Sequence, residues 1–187
     1  MTQLFGYIKS TLDYGLKYTR GDGLGTLNAY SDADFGGCLD SAKSTGGYII
    51  LKGGNVVAWL SKLQGNVTQS TTEAEYVALS ETTKELMWLR RLDNVEEGKH
   101  PTLLRGDNQG SIKLAEDPQY RRRTRHIHVR YHYVREQIEI GNIHVEYVST
   151  EENLADILTK ALPKPAHARI TAKLGIPFGG GIDFFFA

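Results

Sequence analysis

The chain has 187 residues, of which 40% are hydrophobic, so it is long and apolar enough for one domain with a real core. Lys and Arg together number 22, as do Asp and Glu, and this zero net charge argues against a globally basic nucleic-acid binder. The single cysteine, Cys38, excludes an internal disulfide, and no apolar run reaches the roughly 18 residues expected of a membrane span.

The first part of the chain is expected to precede the main domain. Residues 1–10 have loosely helical spacing of apolar side chains, and a glycine-rich stretch, 21–25, follows further on. Because that stretch lacks Gly-x-Gly-x-x-Gly spacing and no strand-to-helix switch follows it, a turn is favoured over a phosphate loop. We expect an upstream connecting segment over 1–26, a main domain over 27–163 and a C-terminal tail over 164–187.

Three strands joined by short connections are predicted next. Residues 27–35 alternate between apolar and polar side chains, which is typical of a strand. Asp32 and Asp34 fall on the same side of it, because side chains repeat every two residues. Both a solvated edge and a binding site fit this placement. Residues 44–51 and 56–60 flank a Gly-Gly-Asn turn and predict a hairpin, so the three strands form an antiparallel meander.

A long helix is predicted over residues 70–92, since no Gly or Pro interrupts this run and a Ser or Thr can cap its start. At about 100° per residue, Glu75 shares an arc with Leu79 and Leu86, whereas Glu73 lies on a mixed face that is expected to be wetter. A carboxylate on a buried face needs a Lys or Arg partner or a metal ion, and the helix alone leaves both alternatives open.

A short apolar strand over residues 102–106 leads directly into Asp107, and a helix follows at residues 111–115. The side chain of Asp107 is therefore presented at the carboxyl end of a strand, where open α/β sheets bind ligands. Asp is also a favoured helix N-cap, which is the alternative role for this residue.

Local positive charge is concentrated in residues 117–130. The arginines there are Arg121, Arg122, Arg123, Arg125 and Arg130. Such a run is either a solvated charge cluster or a surface that contacts phosphates. The neighbouring histidines lack a cysteine partner or a His-Glu-x-x-His spacing, so no zinc site is predicted.

The last elements are a helix over residues 131–140, an alternating strand over 143–148 and a helix over 149–161. A capping box from Ser149 to Glu152 marks the start of the last helix. Asp156 falls in its early turns, where an acid is ordinarily favoured by the helix dipole.

Four acids thus lie on four separate elements that can converge at one edge of a sheet. They are Asp32, Glu75, Asp107 and Asp156. Converging carboxylates repel one another unless cations neutralise them, and hard oxygen ligands select Mg²⁺ or Mn²⁺. Two such ions about 3.5–4 Å apart form the arrangement that hydrolyses phosphodiesters.

Five stretches, in their order and spacing, resemble the ribonuclease H domain of copia-type LTR retrotransposon polyproteins. They are residues 30–34 (YSDAD), 70–80 (STTEAEYVALS), 106–109 (GDNQ), 125–132 (RHIHVRYH) and 153–160 (NLADILTK). Residues 7–16 resemble the segment that joins reverse transcriptase to this domain. The resemblance implies an α/β ribonuclease H-like fold, with a five-stranded mixed sheet of three antiparallel and then two parallel strands flanked by helices.

The resemblance also implies cleavage of the RNA strand of RNA–DNA hybrids with two Mg²⁺ ions, or Mn²⁺. The implied catalytic and metal-binding residues are Asp32, Glu75, Asp107 and Asp156. Glu75 is preferred over Glu73 because residues 74–79 match the retroviral pattern around the glutamate. The candidate substrate contacts are Ser70, Thr71, Thr72, Asn108, Arg121, Arg122, Arg123 and Arg125. The implied partners are the hybrid and the reverse transcriptase region of a parent polyprotein, with no membrane. The implied location is intracellular, in cytoplasmic virus-like particles or the nucleus.

The chain departs from the family pattern at two places. The loop 149–152 has no histidine where cellular and retroviral forms carry one, and Thr71 and Thr72 stand where cellular forms have asparagines. One alternative function is therefore an inert or domesticated nucleic-acid-binding remnant of the same fold. Another is an integrase-like transferase, which ranks lower: integrases have their last two acids about a helix apart, whereas Asp107 and Asp156 are far apart and the glutamate precedes both.

Overall fold

The computed structural model describes residues 2–20, 26–116 and 132–176. Three features of the sequence lie outside these residues: the glycine-rich stretch 21–25, the arginine cluster, and residues 177–187 of the predicted tail. The arginines concerned are Arg121, Arg122, Arg123, Arg125 and Arg130.

Five strands and five α-helices lie within the described residues. In chain order they are α1 (Thr2–Ser10), β1 (Leu27–Asp34), β2 (Thr45–Lys52), β3 (Asn55–Leu63), α2 (Thr71–Leu92), β4 (Thr102–Gly106), α3 (Gln109–Glu116), α4 (Tyr133–Ile140), β5 (Ile143–Tyr147) and α5 (Lys164–Lys173). Two short 3-10 helices, Thr150–Glu152 and Leu154–Leu158, lie between β5 and α5. Within this described part of the chain, no helix is both long enough and apolar enough to cross a membrane.

The strands form one sheet in the order β3-β2-β1-β4-β5. β2 pairs antiparallel with both β1 and β3, whereas β4 runs parallel to both β1 and β5. The predicted five-stranded mixed sheet is therefore confirmed. Since β1, β4 and β5 are parallel, the chain leaves all three at the same edge of the sheet, and the acids that follow these strands are brought towards one another.

Apolar side chains cover both faces of the sheet. On one face Ile50 packs with Tyr76 of α2, and both are fully buried. On the other face Ile49 packs with Leu154 of the second 3-10 helix and with Ile170 of α5. Each such buried side chain stabilises the fold by about 1.5–3 kcal/mol. Helix α5 lies beyond the predicted domain end at residue 163, yet it contributes to this second layer of the core.

Helix α2 begins at Thr71 and ends at Leu92, as predicted. Ser70 Oγ accepts a hydrogen bond from the Glu73 backbone amide at 3.1 Å, and Glu73 Oε2 accepts one from the Gln69 amide at 2.7 Å. These bonds satisfy backbone donors at the helix start. The second bond folds the Glu73 side chain back onto the chain, leaving the residue only 8% exposed. The prediction of a wetter position for Glu73 was therefore wrong.

The predicted helix over residues 149–161 was also wrong, because two 3-10 helices take its place and Ser149 makes no side-chain cap. Asn153 separates them with an extended backbone, φ −72° and ψ 109°. Its Nδ2 donates to the Ser31 carbonyl of β1 at 3.0 Å, and its Oδ1 accepts from the Ala155 amide at 3.2 Å. A continuous α-helix cannot include a residue in this conformation, so the link to β1 overrides the local helical pattern.

Candidate active site

Asp32 lies near the end of the central strand β1, where its backbone pairs with Gly47 of β2. The residue is 1% exposed. Thr159 Oγ1 donates a hydrogen bond to Asp32 Oδ2. A Cβ atom at position 47 would come within 2.9 Å of Thr159 Cγ2. A glycine opposite Asp32 therefore lets the segment that carries Thr159 lie directly against the strand.

Asp107 follows β4 directly, one strand over from Asp32. Its Oδ2 accepts a hydrogen bond from Thr150 Oγ1 at 2.7 Å. The cap of α3 is supplied by the next residue, since Asn108 Oδ1 accepts from the Ser111 amide at 2.8 Å. The carboxylate of Asp107 is thus not used as the helix cap, which was the alternative role for it.

Asp156 lies on the 3-10 helix Leu154–Leu158 and is 5% exposed. The hydrogen bond from Asn153 to the Ser31 carbonyl holds this helix against β1, next to Asp32. Lys160 follows Asp156 by four residues, and its Nζ lies 2.9 Å from Asp156 Oδ1 and 3.7 Å from Asp32 Oδ2.

Three of the four predicted carboxylates therefore converge. One oxygen from each of Asp32, Asp107 and Asp156 lies within 4.8 Å of the other two. Oxygen ligands of Mg²⁺ lie about 2.1 Å from the ion, so two ligands of one ion are at most about 4.2 Å apart. The upper limit of 4.8 Å on the observed spacing is close to this value, so the three carboxylates are near the arrangement that one ion needs.

Glu75 approaches the same site from the first turns of α2. The residue is 6% exposed, and no Lys or Arg of the described residues forms an ion pair with it. Burial, together with the charges of Asp32 and Asp107, raises the pKa of Glu75 to about 9. A hydrogen bond from the Ala33 backbone amide opposes that rise in the pKa. Glu75 is not part of the 4.8 Å group of described acids, but it lies within the electrostatic reach of two of its members.

The site carries an excess of negative charge. The pKa of Asp32 is raised to about 7, mainly by burial and also by the charges of Asp156 and Asp107. The hydrogen bond from Thr159 and the charge of Lys160 oppose this rise. For Lys160 burial lowers the pKa, but the charge of Asp32 and the hydrogen bond with Asp156 outweigh this, so its pKa is raised and it stays an ammonium. One lysine does not balance this group of acids.

In sequence, the chain is similar to Pol polyproteins of plant transposons. It is 38% identical over 189 aligned positions to the retrovirus-related Pol polyprotein from transposon RE2 of Arabidopsis thaliana, a match that covers 97% of this chain and 13% of that polyprotein. It is 44% identical over 140 positions to the corresponding polyprotein from transposon TNT 1-94 of Nicotiana tabacum, covering 74% of this chain and 10% of the polyprotein. The chain thus spans only about a tenth of the length of these relatives. No protein-family model matches the chain.

In structure, the chain shares its fold with ribonucleases H. RNase H1 from Halobacterium salinarum superimposes with a TM-score of 0.50 at 23% identity, over 72% of this chain and 95% of the other. The N-terminal RNase H domain of rv2228c from Mycobacterium tuberculosis gives 0.51 at 14% identity, over 79% and 97%. The chain belongs to the ribonuclease H domains of retrotransposon polyproteins. The resemblance identified from the five sequence stretches is confirmed.

In this ribonuclease H domain, sequence reasoning missed the side chains that support the carboxylates. They are Thr150, Asn153, Thr159 and Lys160. Asn153 precedes Asp156 by three residues, and Thr159 and Lys160 follow it by three and four, so helical spacing could have indicated them. The contact between Thr150 and Asp107 has no such signal, because the two residues are 43 positions apart.

The predicted substrate contacts outside the arginine cluster gather where α2 and α3 begin. Thr71 is exposed, whereas Ser70 and Asn108 use their side-chain oxygens as caps. A Cβ atom at Gly110 would come within 2.9 Å of Thr72 Oγ1, so Thr72 lies directly against α3. The two helix starts thus meet at this corner of the ribonuclease H domain.

Two further acids, Asp34 and Glu73, lie two residues from Asp32 and Glu75 in the sequence. Neither Asp34 nor Glu73 belongs to the converging group among the described residues. The Asp34 carboxylate lies against Gly37, where a Cβ atom would come within 2.0 Å of its Oδ2. Glu73 is engaged at the start of α2. Both acids thus have contacts away from the three converging carboxylates.

The converging carboxylates fit a divalent cation. Asp32, Asp107 and Asp156 offer hard oxygen donors, which suit Mg²⁺ and Mn²⁺. The raised pKa of Asp32 reflects crowded, buried negative charge that such a cation would relieve. Both the oxygen ligands and the negative charge of the site thus favour a divalent cation such as Mg²⁺ or Mn²⁺.

Proposed function

We propose that this chain is an endoribonuclease that cleaves the RNA strand of RNA–DNA hybrids during retrotransposon reverse transcription. The observation that carries this proposal is the convergence of Asp32, Asp107 and Asp156 on a ribonuclease H fold, with Glu75 beside them. A fold alone is compatible with many activities, so the proposed activity follows from the residues of this site.

The four acids Asp32, Glu75, Asp107 and Asp156 are the proposed catalytic and metal-binding residues. Two Mg²⁺ ions, or Mn²⁺, would supply the charge that activates the attacking water and stabilises the leaving oxygen. The chain's own contribution is to hold the carboxylates in place before substrate arrives, through hydroxyl donors on two of them. These pairs are Thr159 with Asp32 and Thr150 with Asp107. Preorganised groups of this kind need no rearrangement during the reaction.

Selection of the hybrid is proposed to come from the A-form minor groove and from the RNA 2′-hydroxyl. The corner formed by Ser70, Thr71, Thr72 and Asn108 offers hydroxyl groups and the amide hydrogens of Asn108 beside the carboxylates. Arg121, Arg122, Arg123 and Arg125 remain the proposed phosphate contacts, because a chain of zero net charge needs a local source of positive charge.

The reverse transcriptase region of a parent polyprotein is the proposed protein partner, acting inside the cell. The matched relatives are far longer than this chain. Helix α1 exposes Leu4, Phe5 and Ile8 by 61%, 64% and 47%. It contacts α5 through Tyr7, whose hydroxyl lies 3.3 Å from His167 Nε2. Neighbouring exposed apolar side chains of this kind commonly mark an interface.

The test is cleavage of a hybrid whose RNA strand carries a 5′ label, in Mg²⁺ or Mn²⁺ and with EDTA as a control. We expect cutting of the RNA strand in the metal, and a loss of at least about 100-fold in Asp107→Asn, since a charged ligand is removed while the half-exposed position spares the fold. Asp34→Asn is the matched control and should cut like the wild type.

Each other outcome has a distinct meaning. Undiminished cutting by Asp107→Asn would contradict the assignment of the site. Binding of the hybrid without cutting, by a folded wild-type chain in Mg²⁺, would favour the inert remnant. Repeating that assay with the upstream polymerase segment added would show whether the domain depends on this partner.

A further inference from the structure

Lys160 lies among the same oxygens that would hold a divalent cation. Its Nζ is 2.9 Å from Asp156 Oδ1 and 3.7 Å from Asp32 Oδ2. The side chains of these two acids are 7% and 1% exposed, whereas that of Lys160 is 34% exposed. The ammonium thus enters a buried acidic site from its solvent side.

This contact differs from an ordinary surface ion pair. A pair four residues apart on an exposed helix contributes little, because water screens both charges. Here both acids are buried, and a buried carboxylate without a compensating charge is costly. Among the described residues, Lys160 is the one basic side chain that forms ion pairs with Asp32 and Asp156. It therefore compensates the charge of two elements at once, β1 and the 3-10 helix.

A divalent cation needs the same lone pairs. Two cations a few ångströms apart repel each other strongly in a poorly solvated site, so the Lys160 ammonium and a metal ion cannot both lie against Asp156 Oδ1 and Asp32 Oδ2. Lys160 can leave, because its flexible four-carbon stem is partly exposed. Thr159, by contrast, is 7% exposed and can keep its hydrogen bond to Asp32.

We infer that Lys160 is an internal competitor of the metal: its ammonium holds Asp32 and Asp156 together and must swing out before these oxygens bind a divalent cation. Lys160 is in this sense a positioning residue that sets the metal affinity of the site. The inference rests on the proposed function, since it takes Asp32 and Asp156 to be metal ligands.

The experiment measures binding of Mn²⁺ to the purified chain without nucleic acid, by isothermal titration and by the EPR signal of free Mn²⁺. Lys160→Met removes the charge and keeps the length of the side chain. We expect its Kd for Mn²⁺ to be about tenfold lower than that of the wild type, within the usual range for two coupled ligands. Its thermal midpoint in EDTA should fall, because the acids lose their compensating charge.

Two variants and one spectrum control this result. Lys164→Met removes an exposed lysine four residues further on, and its Kd should stay within about twofold of the wild type because exposed charges are well screened. Lys160→Arg keeps the charge in a bidentate donor that binds carboxylates more firmly, so its Kd for Mn²⁺ should rise.

A ¹H–¹⁵N spectrum of the wild type tests the same step directly. The cross peak of the Lys160 ammonium is assigned by its loss in Lys160→Arg, and it should disappear when Mg²⁺ is added.

The outcomes separate the inference from the proposed function. If the wild type binds Mn²⁺ and the Kd of Lys160→Met is the same or higher, Lys160 does not compete with the metal. The proposed metal site would not be affected by that result. If Lys160→Met does not fold, a tighter Kd in Lys160→Arg or an undisturbed ammonium cross peak would overturn the competition equally. Absence of Mn²⁺ binding to the folded wild type would overturn the metal site, and this inference with it.

Discussion

At the residue scale, the chemistry of Asp32 depends on a single hydroxyl. Thr159 is buried, and its Oγ1 donates to Asp32 Oδ2 while lying 3.2 Å from the Asp156 carbonyl. A donor that faces a carboxylate stabilises the charged form, which is the form that binds a metal. Thr159 therefore opposes the burial that raises the pKa of Asp32 to about 7.

Thr159→Val should make metal binding require a higher pH. Val has nearly the same shape but no hydroxyl, so the pKa of Asp32 rises further. A hydrogen bond to a charged group contributes about 1.5–3 kcal/mol, so we expect the pH midpoint of Mn²⁺ binding to move up by roughly one unit. Thr159→Ser restores the donor and should restore the midpoint. Identical midpoints for Thr159→Val and the wild type would show that the hydroxyl does not tune Asp32.

The sequence indicates which acids converge but not what holds them. Asp32 is predictable because it lies near the end of a strand, Asp107 because it directly follows one, and Glu75 because helical spacing places it on the buried face of α2. Glu73 was misjudged since its hydrogen bond to the Gln69 amide, rather than its angular position, decides its burial. The donor from Thr150 to Asp107 depends on how distant segments meet, which no local pattern records.

At the element scale, the segment after β5 determines the geometry of the site. Local pattern favours an α-helix over residues 149–161, but the buried Asn153 binds the Ser31 carbonyl and forces two 3-10 helices. Tertiary contact thus overrides propensity. The strands, in contrast, were predictable: β1 from the alternation of its side chains, and β2 and β3 from two apolar runs on either side of a turn.

Gly47→Ala should displace this segment and weaken the site. A Cβ atom at position 47 would come within 2.9 Å of Thr159 Cγ2 and 3.0 Å of Leu158 Cβ. We expect a loss of about 1–3 kcal/mol in the free energy of unfolding from overpacking. Since Asp156 moves away from Asp32 with the segment, we also expect weaker Mn²⁺ binding. Urea denaturation and Mn²⁺ titration measure the two effects.

Gly46→Ala is the matched control on the opposite face of the same strand. Its Cβ atom would meet Gln64 Nε2 at 3.3 Å, a milder contact than the one at position 47 and away from the 3-10 helix, although Gln64 Nε2 donates to the Ala74 carbonyl at 2.9 Å. Its Mn²⁺ affinity should therefore change less than that of Gly47→Ala. Should Gly47→Ala bind Mn²⁺ as well as Gly46→Ala does, close packing at position 47 is irrelevant to the site.

At the scale of the whole molecule, the acidic site opposes stability. Glu75 ordinarily has a pKa of 4.5, and burial, with the charges of Asp32 and Asp107, raises it to about 9 in the folded chain. Between these two values the folded chain keeps a proton that the unfolded chain has released. The stability contributed by this group is complete below pH 4.5 and is lost as the pH rises towards about 9. Asp32 acts in the same direction between 3.8 and about 7.

Glu75→Gln should therefore stabilise the chain at pH 8 when EDTA removes divalent cations. Gln is isosteric with the protonated acid and cannot ionise, so at pH 8 it avoids the cost of taking up a proton on folding. Because one pKa unit corresponds to about 1.4 kcal/mol, we expect a gain of the order of a few kcal/mol in the free energy of unfolding at pH 8 and nearly none at pH 4.5. Urea denaturation across this pH range measures the difference.

Glu81→Gln is the control, because Glu81 is an exposed acid paired with Lys84, and it should leave the pH dependence unchanged. If the free energy of unfolding depends on pH in the same way in Glu75→Gln and the wild type, the prediction is wrong. Ionisation of Glu75 would then cost nothing in the folded chain, in spite of its burial and the nearby acids.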